Sequence, residues 1–345
     1  MKLIDKLKKK YPVPPISVMR EALFDAETGG ADYTRSPTLI NLALRDQGYN
    51  DLADRIASCS SVKKCRSPYC DRCRQSIYNQ QRKKSDEFLW YPYKCDEAKA
   101  RDNLFFVTIL FELVPFDQPD DTLLRFPTKQ VQVAVKKARA TLKAVRRTFK
   151  DQINFIGAVE LEAVTGLLAQ LHPLKGQTLA TLIDRDIQFD DKFVLVHAHF
   201  VVDMAGMPNN QFTGDPAVTD LRARLRKEWP EKKQVEVKPL FANKPVHDSL
   251  NRLSDYPLKF PVKYYYRWNA IDDGEYLVID GKQQNLARNF SSDVLAEMVR
   301  GVSEIGMKAL YIRLGVSKAS ADKAKKRDAI KQAKANRIGP PIDMD

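Results

Sequence analysis

An α+β fold is the prediction for this 345-residue chain, and three observations make it. Runs rich in β-branched and aromatic residues at 103–114, 153–164 and 192–203 read as buried strands. A helix-period pattern of apolar residues fills 129–150, between the first run and the second. The segments on either side are polar, basic or helical in pattern, which confines the strands to one central region.

Taken in order, residues 1–35 show little periodicity. The stretch SPTLINLALRDQGYNDLADRIASC then reads as helix. Ser36 suits its N-cap, Pro37 its first helical position, and Gly48 marks a point of interruption. A cysteine cluster and a polar, basic stretch around QQRKKSDEF follow. The strand NLFFVTILFELV leads through a loop containing Pro115, Pro119 and Pro127 into the long helix. There Val131, Val135, Ala138, Leu142, Val145 and Phe149 form one apolar stripe. Lys136, Lys137, Arg139, Lys143, Arg146, Arg147 and Lys150 lie mostly away from it. INFIGAVELEAV and KFVLVHAHFVVD are the next two strands, with an insertion at about 165–190 between them. The chain then turns polar and basic until the aromatic stretch DYPLKFPVKYYYRW. A late helix beginning near Ser291 and Ser292 carries Val294, Leu295, Met298, Val302 and Ile305 on one face. The basic tail KASADKAKKRDAIKQAKANR reads as a solvated helix or a disordered segment.

Composition narrows the function. Hydrophobic residues make up 43% of the chain, as in a globular protein. No run approaches the roughly 20 apolar residues needed to span a bilayer. The start, MKLIDKLKKKYPVPP, lacks an apolar secretory core, so a soluble cytoplasmic protein is expected. Lys and Arg number 57 against 44 Asp and Glu, a net charge of +13. Such a surplus favours a polyanionic partner, most simply nucleic acid. No segment pairs a basic face with exposed Trp and Leu, so no membrane partner is expected. Four of the five cysteines fall within fifteen residues, which points to metal rather than disulfides.

Three constellations carry chemistry. In His197-Ala198-His199 the period of two puts both imidazoles on one face of an apolar strand. A divalent metal is the economical partner for such a pair; the plainer reading is two hydrogen-bonded core histidines. Glu160 and Glu162 share a face of the neighbouring strand, and either carboxylate would complete a three-ligand site, with Glu162 slightly preferred. The second constellation is DYPLKFPVK, where Lys259 could favour the phenolate of Tyr256 or orient a phosphate, and Lys263 could contact DNA. The third is Cys59-x5-Cys65-x4-Cys70-x2-Cys73, a set suited to a structural tetrahedral Zn²⁺. Lys63, Lys64, Arg66, Arg72 and Arg74 are interleaved with it and suggest a DNA-facing knuckle. Cys95 is left over, and a buried thiol is the expectation for it.

Taken together, FFVTILF at 105–111, GAVELE at 157–162, VHAHFVV at 196–202 and YPLKF at 256–260 resemble the HUH endonucleases. The likeness is closest to plasmid-type rolling-circle replication initiators, some of which carry an upstream cysteine cluster, and it covers about residues 59–266. It implies a ferredoxin-like (RRM-like) core with the histidines on a central antiparallel strand. It also implies Mg²⁺ or Mn²⁺ held by His197, His199 and one of Glu160 and Glu162, with Tyr256 as nucleophile. Position 260 is Phe where two-tyrosine relatives carry a second tyrosine, which implies a single-tyrosine enzyme. The division that follows is a helical segment at 1–58, a zinc-binding basic module at 59–95, a nuclease domain at 100–270 and a helical C-terminal segment at 271–345. The expected partner is single-stranded or supercoiled origin DNA, with a host helicase as a candidate second partner. A transposase or relaxase would share the same site. A zinc-knuckle regulator without catalysis is the reading from a different class.

Overall fold

The structure, a computed structural model, describes residues 37–120, 123–165, 182, 191–205, 215–231, 233–240, 244–253, 263–266, 278–279, 282–283, 286–289 and 292–315. It is a mixed helix and sheet architecture, as the strand and helix patterns require.

The chain enters through α1 (Pro37–Asp46) and α2 (Asn50–Ala57). They are separated at Gly48, whose φ of +77° suits a residue without Cβ. The cysteine cluster precedes α3 (Asp71–Ser85), which runs on into a π turn, Asp86–Trp90, and a 3₁₀ turn, Tyr91–Tyr93. The stretch QQRKKSDEF shows no helical period in its sequence because α3 has too few apolar residues to form a stripe. Only Cys73, Gln81 and Ser85 of it are buried. A short α4 (Glu97–Asn103), capped by Asp96 accepting from the Lys99 amide, delivers the first strand.

That strand is β1 (Leu104–Pro115), and a hairpin of β2 (Asp117–Asp120) and β3 (Leu123–Arg125) follows it. Next come α5 (Thr128–Thr148), β4 (Asn154–Thr165), β5 (Lys192–Asp203), α6 (Asp215–Glu228) and β6 (Val235–Pro239). Then α7 (Val246–Leu253) and β7 (Lys263–Tyr266) precede the pairs of β8 (Val278–Ile279) with β9 (Lys282–Gln283) and of β10 (Leu286–Asn289) with β7. The chain described ends in α8 (Ser292–Ile305), α9 (Met307–Leu310) and β11 (Tyr311–Leu314). The C-terminal segment, helical by its pattern, therefore also supplies the strands β8 to β11, of which β11 joins the main sheet.

Five strands form the main sheet in the order β11-β4-β5-β1-β6, every neighbour antiparallel. The connectivity from β1 to β6 is strand, helix, two strands, helix, strand. β5 lies at the centre and is buried along nearly its whole length, which is why its sequence is an almost unbroken apolar run. One face of the sheet presents Val194, Val196, Ala198, Phe200 and Val202 to the stripe of α5 and to α8 in the principal core. Leu142 of that stripe is fully buried, so truncation to Ala there belongs to the class costing about 2–5 kcal/mol. The other face carries two smaller apolar clusters, one around Leu110, Leu113, Phe193 and Leu195, the other around Leu89, Trp90, Ile156, Val201 and Leu250. The polar centre lies between them. At Gly157 β4 has no room for a side chain beside β5: a Cβ there would strike the His199 carbonyl and Phe200. A bulge at Phe111 in β1 is closed by Gln234, whose backbone carbonyl accepts from the Leu110 amide while its side chain donates 2.9 Å to the Leu110 carbonyl.

Candidate metal centre

Register decides which groups meet. Across β4 and β5, Glu160 stands opposite His197 and Ala158 opposite His199. Glu160 is thus beside one imidazole and diagonal to the other, whereas Glu162 stands opposite Leu195. The distances follow: Glu160 Oε2 lies 3.4 Å from His199 Nε2 and 3.8 Å from His197 Nε2. Glu162 Oε2 lies 3.6 Å from His197 Nε2. Ligand atoms of Glu160, His197 and His199 all fall within 4.8 Å of one another. The slight sequence preference for Glu162 therefore gives way to Glu160. Its carboxylate is 6% exposed against 24% for Glu162, which sits at the rim.

These residues fit a metal ion. Bonds of about 2.1 Å at right angles separate neighbouring ligand atoms by about 3 Å, so separations of 3.4 and 3.8 Å need only small side-chain movement. The donor set is two imidazoles and a carboxylate, which suits a divalent ion and leaves further coordination positions. The second partner of His199 also agrees. Thr108, opposite it on β1, places Oγ1 2.9 Å from Nδ1, leaving Nε2 toward Glu160. Phe106 stacks on the same ring at 5.6 Å and 4° between planes. Both residues lie in the FFVTILF motif, where the sequence pattern assigns neither of them a role. A threonine within the otherwise apolar run Phe105–Phe111 is the available signal.

Beside His199 a pocket is lined by Phe106, Ile156, Leu89, Leu250 and, from α3, Gln81 and Ser85. At the end of β5 on this face, the buried Asp203 accepts 2.6 Å from the Tyr93 hydroxyl. Burial pushes the Asp203 carboxyl above the usual carboxylate range.

Cys59, Cys65, Cys70 and Cys73 form a second cluster able to hold a metal ion, also within 4.8 Å. Cys59 Sγ and Cys65 Sγ each lie 3.6 Å from Cys73 Sγ. The Cys65 amide donates to Cys59 Sγ and the Arg66 amide to Cys73 Sγ, as suits thiolate ligands. The Cys65 amide is the main reason the Cys59 thiol is lowered to about 7, while burial pushes Cys65 and Cys73 up. Four sulfurs are a donor set suited to Zn²⁺ and would close the coordination shell, so a metal held there would be structural. Cys70 caps α3 and Cys73 lies in its first turn, while Gln81 and Ser85 near its other end line the pocket at His199. One helix thus joins the two clusters.

Of the basic residues around the cysteines, Lys63, Lys64 and Arg66 are exposed. Arg72 donates to the Cys59 carbonyl and Arg74 pairs with Asp71 at 2.7 Å, so both also brace the module. Tyr256 and Lys259 lie outside the described residues. Lys263 begins β7. Cys95 is exposed rather than buried. No helix among the described residues is long and apolar enough to cross a membrane. No family model matches the chain, and neither curated proteins nor solved structures yielded a match.

Proposed function

We propose that this protein is a metal-dependent DNA strand transferase of the HUH type, nicking one strand to initiate rolling-circle replication. The observation that carries the reading is the meeting of Glu160, His197 and His199 on adjacent central strands. The strand, helix, two strands, helix, strand connectivity, with β6 beside β1 and β4 beside β5, supports a ferredoxin-like core. The chain order supports Tyr256 as the nucleophile: Leu250 shares the pocket wall with His199, and Tyr256 follows it by six residues in the sequence.

Each group then has a task. His197, His199 and Glu160 would hold Mg²⁺ or Mn²⁺, which supplies polarisation of the scissile phosphate and stabilises its developing charge. Thr108 and Phe106 orient the His199 ring. The Tyr256 oxygen bonds to phosphorus as the bond to the 3′-oxygen breaks. The phenol gives up its proton and the 3′-oxygen leaves as a hydroxyl, so the products are a 5′-phosphotyrosine and a free 3′ end. Lys259 favours the phenolate or orients the phosphate. The cysteine cluster would hold structural Zn²⁺, and Lys63, Lys64, Arg66 and Lys263 would contact DNA. The expected substrate is single-stranded or supercoiled origin DNA.

The test mixes protein, Mn²⁺ and single-stranded DNA tiled from its own replicon, resolved on a denaturing protein gel. Wild type is expected to give a DNA-linked band that is absent with Tyr256→Phe. His197→Ala should slow its appearance by about 100-fold or more. A band that persists in Tyr256→Phe moves the nucleophile, with Tyr264, Tyr265 and Tyr266 next in line. No band with DNA binding intact overturns the enzyme reading in favour of a binding protein.

A further inference from the structure

The long helix α5 poses a question that the metal centre does not answer. Its buried stripe, Val131, Ala134, Val135, Ala138, Leu142 and Val145, packs on the face of the sheet opposite His197 and His199. Its outer side exposes Lys129, Lys136, Lys137, Lys143 and Arg147. The 21-residue helix contains no Asp or Glu. Among the described residues none of these five cations has a carboxylate within ion-pair distance. Nearby acids are engaged elsewhere: Asp151 with Arg146, Glu304 with Arg300 and Asp220 with Arg224.

This arrangement costs the helix stability. Lys143 and Arg147 are four residues apart and repel, and the acid at that spacing from Arg147, Asp151, just past the helix end, pairs with Arg146 instead. Basic residues in the last turn complement the helix dipole, which accounts for Arg146 and Arg147. Lys129 in the first turn opposes the dipole, and Lys136, Lys137 and Lys143 gain little from it. A row of cations kept against local helix energetics fits a polyanion laid along it. From Lys129 to Arg147 the row spans about 27 Å of rigid helix, most of one turn of duplex DNA.

We infer that the outer face of α5 is a second nucleic-acid surface, binding the phosphate backbone of duplex DNA on the side of the sheet opposite the metal centre. Its contacts are sequence-independent and do not require cleavage, so the inference stands apart from the proposed nicking reaction. Duplex DNA is favoured over a flexible single strand because a straight, stiff row matches a stiff partner without the cost of ordering it.

The test is fluorescence anisotropy of a short labelled duplex of arbitrary sequence, with full-length protein over a range of salt concentration. Wild type is compared with Lys136→Ala/Lys143→Ala, and with Lys99→Ala/Lys238→Ala, which removes two exposed lysines from other elements. Alanine at exposed helical positions raises helix propensity, so the first variant is expected to fold, and its melting midpoint checks this. The slope of log K against log salt should fall by about 1.8 in the α5 variant, about 0.9 for each lost phosphate contact. It should hold in the second variant. An unchanged slope in the α5 variant overturns the inference. So does an equal fall in both variants, which would report net charge alone. So does a wild type that binds single strands or anionic vesicles but no duplex.

Discussion

At the scale of single residues, the centre depends on which imidazole nitrogen is left for a metal. Thr108 occupies His199 Nδ1 at 2.9 Å and leaves Nε2 facing Glu160. Thr108→Val keeps the shape and removes the hydroxyl. The expected outcome is about 10–100-fold weaker Mn²⁺ binding with the melting midpoint little changed, measured by calorimetry without DNA. A variant that binds Mn²⁺ as tightly as wild type would show that the hydroxyl does not orient the ring. The same scale separates the two glutamates. Both are one pleat from an imidazole, but only Glu160 lies beside both rings, because it faces His197 and is diagonal to His199.

At the scale of elements, α3 connects two sites that the sequence presented as separate. Its first turn holds Cys73, its last turns hold Gln81 and Ser85, and Arg313 of β11 donates 3.3 Å to Gln81. A helix with so sparse an apolar stripe gains little from burial, so its placement leans on its ends. Cys73→Ser should reduce bound zinc from about one per chain and lower the melting midpoint, since metal binding to such a cluster is also folding energy. It should also weaken Mn²⁺ binding at Glu160, His197 and His199, because the pocket beside His199 loses a wall. Zinc content, melting and Mn²⁺ titration of one preparation check all three. Unchanged Mn²⁺ affinity in a zinc-free variant would show the sites to be independent.

At the scale of the whole molecule, the ends of the described chain close over the core through one buried carboxylate. Glu297 of α8 accepts 2.6 Å from the Phe126 amide, just before α5, and pairs with Arg300 at 2.8 Å. It also accepts from the hydroxyl of Tyr49, between α1 and α2. Burial is the main reason the Tyr49 hydroxyl titrates above its usual value, and Glu297 adds to it. Glu297→Ala leaves the buried Phe126 amide without its acceptor and Arg300 with Glu304 as its remaining carboxylate, a class of change that costs about 1–3 kcal/mol. Denaturant unfolding should show a loss of that size. A loss under about 1 kcal/mol would mean that water replaces the carboxylate. The pairing of α8 with α1 and of β11 with β4 makes the C-terminal segment part of the same core.

Local pattern determined a good share of this. The strands β1, β4 and β5, the helix α5 and the break at Gly48 were legible because they rest on period and on backbone chemistry that act within a few residues. So were the shared face of His197 and His199 and the clustering of the cysteines. The helices α6 and α7 and the strand β6 were not read, since short elements in polar, basic sequence carry little periodic signal. Tertiary structure alone decided that β4 and β1 flank β5, that Glu160 rather than Glu162 joins the histidines, and that Thr108 faces His199. It also decided that α3 bridges the two clusters and that β11 closes the sheet edge. The reason is that a strand's own sequence sets which residues share a face, whereas its register against a neighbour is set by packing between residues far apart in the chain.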